Sequence, residues 1–303
     1  MKRMRIWSLL GLVFPLHVFL ACSSADSDNP ERAPADSVGD RSPLAESLTL
    51  HASFDEGPNA DFARGDPQLY TAASWDRVHE AQVGLGNSDV QIVPGQGRFG
   101  NALRFVTRNT SAVFYRAEEK VAYSDRDWGG TISFWLNLSP EQDLAPGYCD
   151  PIQITDEAYN DAAIWVDFTD ANPRQFRLGV FGDLESWNPN GLSSDEHPGF
   201  ADNLVVVEDP PFQREKWTHV VITYSGLNSE SGGVARLFLD GTLQGTIQDI
   251  TEPFSWDLLG AQVRLGVNYV GFFDELALFD RSLTEAEVTR LHGLEAGVAS
   301  LHH

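Results

Sequence analysis

Asp240-Gly241 stands between two runs of alternating apolar and polar residues, and this short stretch restricts the chain more than any other. A two-residue turn between strands requires positive φ at both central positions, which Asp and Gly adopt most readily. The run before the turn, Val234–Leu239, repeats the period of Trp217–Ser225 upstream. A period of two is that of a strand with one face buried. A third run, Val263–Val267, leads into Gly271–Phe279, after which Ser282 and Glu285 have the Ser-x-x-Glu spacing of a capping box. The sequence therefore predicts an all-β fold, a two-sheet antiparallel β-sandwich closed by a short C-terminal helix ending near Leu291.

Upstream, Leu48–Phe54, Ala102–Val106 and Val113–Tyr115 read as further strands. Three central runs carry the functional information. In Thr131–Leu138, Ile132, Phe134, Leu136 and Leu138 share one face, with Thr131, Ser133, Trp135 and Asn137 on the other. In Ala163–Phe168, Ile164, Val166 and Phe168 oppose Trp165 and Asp167. In Gln175–Phe181, Phe176, Leu178 and Val180 oppose Gln175, Arg177 and Phe181. Each strand has an aliphatic face for the core and a second face of rings mixed with hydrogen-bonding groups. Aromatic rings stack on the apolar faces of pyranoses while amides and carboxylates take the hydroxyls, so the second face suits a glycan. The alternative is that Trp135 and Trp165 pack under neighbouring loops and that Asp167 and Arg177 form an ion pair. The loops after these strands are acidic and aromatic, and Trp187, Asn188 and Asn190 beside Asp195 and Asp202 are candidates for a rim that binds sugar, calcium or both.

The segments Leu50–Gly57, Gly97–Phe105, Thr131–Leu138, Trp217-Thr-His-Val220, Leu237-Phe-Leu-Asp-Gly241, Phe273-Asp-Glu-Leu276 and Ser282-Leu-Thr-x-x-Glu-Val288 follow one another in a familiar order. Together they resemble the laminin-G-like branch of the concanavalin A-like jelly rolls, roughly from Leu48 to Leu291. That family holds lectins, adhesion modules and inert companions of enzymes. The resemblance implies a structural calcium ion at Asp274 with Asp55 near it, the alternative being that Asp274 caps or pairs locally. It also implies a structural role for His219.

Lys2, Arg3 and Arg5 precede an apolar run from Ile6 to Ala21, the layout of a secretory signal peptide. Cys22 follows at once, and Phe19-Leu-Ala-Cys22 resembles the bacterial lipobox, whose cysteine is acylated; Phe19 and Leu20 depart from its usual small residues. The expected organisation is a signal peptide at 1–22, a flexible Ser-, Asp- and Pro-rich tether at 23–46, a jelly-roll domain at 47–293 and a tail at 294–303. This describes a lipoprotein of the bacterial cell envelope, or a secreted protein if the signal is simply cleaved. The formal net charge is −23, and it becomes more negative without the basic residues of the signal. Such a surface repels phosphate backbones, which disfavours nucleic acid as a partner. With Cys22 assigned to lipid, Cys149 has no intramolecular partner and reads as an incidental thiol.

Catalytic patterns are lacking. No Gly-x-Ser-x-Gly, phosphate-cradling Gly-x-x-x-x-Gly-Lys, His-Glu-x-x-His or Cys-x-x-Cys occurs. The nearest carboxylate pair for glycoside hydrolysis is Asp183-x-Glu185, where Gly182 has already ended the strand. The expected function is non-catalytic binding at the cell envelope, of carbohydrate first, through Trp135, Asn137, Trp165, Asp167, Arg177, Trp187, Asn188 and Asn190. A protein-binding or adhesion module of the same fold is the first alternative, and a glycoside hydrolase or lyase the second.

Overall fold

A computed structural model describes residues 42–86, 88–193 and 196–302. The expected signal peptide, Cys22 and most of the tether lie outside the described residues, as does Asp195. Among the described residues no helix is long and apolar enough to cross a membrane.

In chain order the first strands are β1 (Leu48–Ala52), β2 (Phe62–Ala63), β3 (Leu69–Ala72), β4 (Gln82–Val83), β5 (Val90–Val93), β6 (Ala102–Phe105), β7 (Ala112–Arg116) and β8 (Trp128–Asn137). They are followed by β9 (Cys149–Thr155), β10 (Ala163–Phe168), β11 (Phe176–Phe181), β12 (Leu204–Val207), β13 (Thr218–Leu227), β14 (Gly233–Leu239), β15 (Thr242–Ile250), β16 (Gln262–Val267) and β17 (Gly271–Phe279). Among the described residues four short α-helices accompany them: α1 (Pro43–Glu46), α2 (Pro140–Asp143), α3 (Leu184–Trp187) and α4 (Glu285–His292). The first sheet runs β15-β14-β13-β8-β17-β1-β2, with β6 also on β17 and β5 on β6; the second runs β12-β11-β10-β9-β16-β7-β3-β4. All pairings are antiparallel, and the two sheets stack as a jelly-roll sandwich.

The aliphatic faces meet between the sheets as the alternation requires. Ile132, Phe134, Leu136, Val220, Ile222 and Leu278 of the first sheet join one buried cluster with Ile154, Ile164, Val166, Leu178, Val180 and Val263 of the second. Each such side chain contributes about 1.5–3 kcal/mol relative to exposure, so the sandwich needs no disulfide. The Asp240-Gly241 turn takes φ of 48° and 77°, the left-handed values that the sequence predicts.

Three features differ from the sequence expectation. Helix α4 starts two residues later than the Ser282 cap, because Thr284 and Glu287 form the reciprocal capping box and Arg281 pairs with Glu287 at 2.6 Å. Cys149–Thr155, where the sequence predicts no strand, is a central one; Pro151 and Asp150 mask the alternation of Ile152 and Ile154 with Gln153 and Thr155. The folded unit also extends beyond 47–293. Leu44 of α1, within the expected tether, and Val298 and Leu301 of the tail are buried with Ala277, Phe279, Val288 and Leu291 on the outer face of the first sheet. Burial of these apolar groups fixes both ends of the domain to that face.

Candidate functional site

The outer face of the second sheet is left open where β9, β10, β11 and β16 lie side by side. There Trp165 and Asp167 of β10 project from the strand positions whose neighbours Ile164, Val166 and Phe168 enter the core. Asp167 is paired with Arg177 on β11, and the guanidinium donates to the carboxylate through Nε at 2.9 Å. This is the ion pair foreseen as the alternative to a free polar face. The Trp165 ring lies flat on Gly179, its partner across the ladder; a Cβ there would stand 2.2 Å from the indole, so only glycine admits the ring. Phe181 stacks on the same ring at 5.9 Å, and Trp165 Nε1 donates to the Tyr159 carbonyl at 2.6 Å. The guanidinium of Arg177 lies 5.5 Å from the Trp165 ring and 5.0 Å from that of Tyr148.

Around this pair opens a groove of about 550 Å³. Its polar groups are Asp150 and Gln153 of β9, Asp167 of β10, Arg177 of β11 and Arg264 of β16, with Glu157, Ser193 and Asn268 outside the strands; its rings are Trp75, Tyr148, Tyr159, Trp165 and Phe200. Tyr148 and Tyr159 are more than two-fifths exposed, whereas Trp165 is only 2 % exposed and forms the floor. Gln153 donates to Asp150 Oδ2 at 2.9 Å. Burial raises the carboxyls of Asp150 and Asp167 above the usual range. The charge of Asp167 adds to the rise at Asp150, while the hydrogen bond from Arg177 offsets part of it at Asp167. Arg264 donates to Gln153 Oε1 at 3.0 Å and to the main-chain oxygen of Glu157 at 3.0 Å, which ties the 155–161 loop to the sheet.

The eight expected binding residues do not form one site. Trp165, Asp167 and Arg177 line the groove. Trp135 belongs to the outer face of the first sheet, which α4 covers: His219 stacks on it at 4.6 Å and His292 at 5.4 Å. Asn137 ends the same strand, donates to the Arg214 carbonyl at 2.9 Å, and borders a separate recess of about 620 Å³ beside Arg104, Trp217 and Phe272. Trp187 is packed against Phe181 behind the groove, with Nε1 donating to the Asn160 carbonyl at 2.9 Å. Asn188 is buried and closes its own loop through Leu192, at 2.7 and 3.0 Å. Asn190 is exposed on that loop. Sequence reading missed Trp75, Tyr148, Asp150, Gln153, Tyr159 and Arg264. The alternation of Ile152 and Ile154 with Gln153 was a signal for Gln153, and the period of Val263–Val267 was one for Arg264; Asp150, beside an irregularity in the pairing of β9, had none, nor had Trp75 on a 3-10 turn or Tyr148 on a loop. Asp183 and Glu185 lie beyond β11, where Asp183 Oδ1 accepts from the Ser255 main chain at 2.8 Å.

Asp55 and Asp274 grip the turn at 97–101 from two sides. Asp274 accepts from the main-chain N–H groups of Arg98 at 2.7 Å, Phe99 at 3.2 Å and Glu275 at 2.8 Å. Asp55 Oδ1 accepts from Asn101 at 2.6 Å. Calcium requires a shell of converging oxygens. Here the carboxylates face N–H donors, and among the described residues no three His, Cys, Asp or Glu side chains are grouped for a metal. The arrangement fits the local capping alternative and does not fit a calcium ion.

A family model described as the concanavalin A-like lectin/glucanases superfamily, Laminin_G_3, matches residues 118–289, which include all four strands under the groove. The chain belongs to this superfamily. The chain is similar to several solved structures. The binding domain of Botulinum Neurotoxin DC in complex with SialylT is 13 % identical, with a TM-score of 0.50 over 86 % of this chain and 53 % of that one. The botulinum neurotoxin serotype D binding domain is 12 % identical, with a TM-score of 0.50 over 83 % and 52 %. Domain 4 of a GH43 extracellular arabinanase from Geobacillus stearothermophilus, in complex with arabinotriose, is 17 % identical, with a TM-score of 0.47 over 80 % and 97 %. The chain thus spans about half the length of the two neurotoxin domains, and likeness at these identities concerns the fold alone. No curated protein matches the chain in sequence.

Proposed function

We propose that this protein is a non-catalytic carbohydrate-binding module whose binding surface is the groove on the second sheet. The observation that carries the reading is one open groove in which planar rings and hydrogen-bonding groups converge: Trp75, Tyr148 and Tyr159 with Gln153, Asp150, Asp167 and Arg177. A sugar ring offers apolar C–H faces to such rings and hydroxyls to such amides and carboxylates. The Asp167–Arg177 pair holds its geometry before ligand arrives, which reduces the ordering cost of binding. A fold shared with a neurotoxin domain solved with SialylT is in keeping with this reading. Acylation at Cys22, as the lipobox-like sequence implies, would anchor the groove at the cell envelope; metabolic labelling with a fatty acid, lost in Cys22→Ser, tests that part.

The experiment is calorimetric titration with a panel of neutral and acidic oligosaccharides. Wild-type protein is expected to bind at least one of them, with affinity falling about tenfold or more in Tyr148→Ala, where an exposed stacking ring is removed. A panel without binders, together with capture of a protein ligand that sugars do not displace, would replace this reading by the adhesion alternative.

A further inference from the structure

Arg264 departs from the pattern of the other charges in the groove. It is only 9 % exposed, yet the three oxygens it meets are neutral: Gln262 Oε1 at 3.1 Å, Gln153 Oε1 at 3.0 Å and the Glu157 carbonyl at 3.0 Å. A guanidinium has more N–H donors than these three bonds use. Among the described residues no carboxylate oxygen lies within ion-pairing distance of it, whereas Arg177 nearby has Asp167. Trp75 covers one face of the guanidinium at 4.9 Å. Burial lowers its pKa to about 10, with Asp156 the only charge pulling it back up, so it stays charged at neutral pH. Burying a cation without a counter-ion is costly, and the site gains most from a ligand that supplies one.

Arg174, equally buried, shows what a structural guanidinium does in this fold. It clamps the main-chain carbonyls of Ala145, Gly147 and Thr169 and lines neither recess of the second sheet. Arg264 instead lines the groove and also the next recess, about 600 Å³, which continues past Trp75 towards Phe114 and Arg116. Arg264 and Trp75 are therefore shared by the two recesses.

We propose that the groove takes an acidic oligosaccharide, a carboxylate or sulfate of which pairs with Arg264 while its rings lie along Trp75 and Tyr148. The inference rests on the carbohydrate-binding reading and names its ligand class. The net charge of −23 does not forbid it. Remote surface charges are screened over about 8 Å at physiological salt, whereas a half-enclosed contact with one guanidinium is not.

The test compares three probes on the full chain: a galacturonate tetramer, the same tetramer with its carboxyls reduced to primary alcohols, and a sulfated neutral tetramer. At least one acidic probe is expected to bind about tenfold or more tightly than the carboxyl-reduced one, the gain of a charge-assisted bidentate contact. Which acidic probe wins identifies the substituent. In Arg264→Gln that preference, taken as the ratio of the two affinities in the same variant, should fall below about twofold. If Arg264→Gln does not fold, Arg264→Met, which keeps the buried stem without the charge, takes its place with the same expected loss of preference. Equal binding of acidic and carboxyl-reduced probes overturns the acidic-ligand inference and leaves carbohydrate binding standing. Absence of binding by all three also overturns it, and the neutral members of the oligosaccharide panel then decide the broader reading alone. A preference that survives in the folded Arg264 variant assigns the recognition elsewhere and overturns it as well.

Discussion

Trp135 and Trp165 occupy matching places on the two sheets and both are buried, yet the first is roofed by a helix and the second floors an open groove. Each sits mid-strand on the face turned away from the core, and each stacks on neighbouring rings. Over Trp135 the chain lays α4, whose His292 closes a column with His219 and Trp135; α1 and the tail add Leu44, Val298 and Leu301 to the same face. Over Trp165 lie only the 155–161 loop and the segment around Phe200, and beside it the groove stays open. Alternation decides which way a side chain points. Whether that side is sealed depends on a helix more than 150 residues away in sequence, or on the lack of one.

The comparison breaks first at the level of stability. Trp135→Ala is expected to destabilise the fold by about 3–5 kcal/mol, read by urea unfolding, while sugar affinity below the transition is unchanged. Trp165→Ala, at a ring as buried as Trp135, should cost a similar amount of stability and in addition remove measurable binding below the transition, because it takes away the floor under Arg177 and Tyr148. Loss of sugar affinity in Trp135→Ala with the fold intact would make the covered face a binding face.

A pH series sharpens the contrast. Burial, with His292 and Arg98 close by, lowers His219 to about 3, well below its unfolded value, and its Nδ1 is buried without a partner. The unfolded chain therefore binds a proton that the folded chain refuses. The stability this residue allows is complete above about pH 6.5 and falls by about 1.4 kcal/mol per pH unit as pH drops towards 3. Relative to wild type, His219→Gln should lack that loss, measured by denaturant titration between these limits. Parallel curves would mean that His219 is protonated in place.

Much of this architecture was legible before the coordinates. The Asp240-Gly241 hairpin, the aliphatic faces of β8, β10 and β11 and the pairing of Asp167 with Arg177 follow from a period of two and from opposite charges at facing positions. The groove was legible only in part. Strand β9 was hidden because Pro151 and Asp150 disguise its alternation, so Asp150 and Gln153 were lost with it. Tyr148, Trp75 and Tyr159 arrive on loops whose course depends on what they pack against. Trp135 and Asn137 were grouped with Trp165 because local sequence does not reveal which sheet a strand joins. Asp274 was singled out through the resemblance and as a possible local cap, but its N–H partners come from a turn 175 residues earlier.

Two smaller effects complete the series. Asn190→Ala, on the exposed loop after α3, should change stability by no more than about 0.5 kcal/mol and leave sugar binding as it is, both by the same assays. Chelation is expected to have the smallest effect of all. Because Asp274 and Asp55 are taken up by main-chain N–H groups, EDTA should leave the melting temperature where it was, and added calcium should not raise it. A rise on adding calcium would restore the ion at the 97–101 turn.

The most direct test is fluorine NMR on protein in which all eight tryptophans carry 5-fluoroindole, titrated with an oligosaccharide that binds in the panel. With the open face as binding surface, the resonances of Trp75 and Trp165 move as the sugar saturates and that of Trp135, under α4, stays in place. Movement of Trp135 or Trp217 with Trp75 and Trp165 still would contradict it.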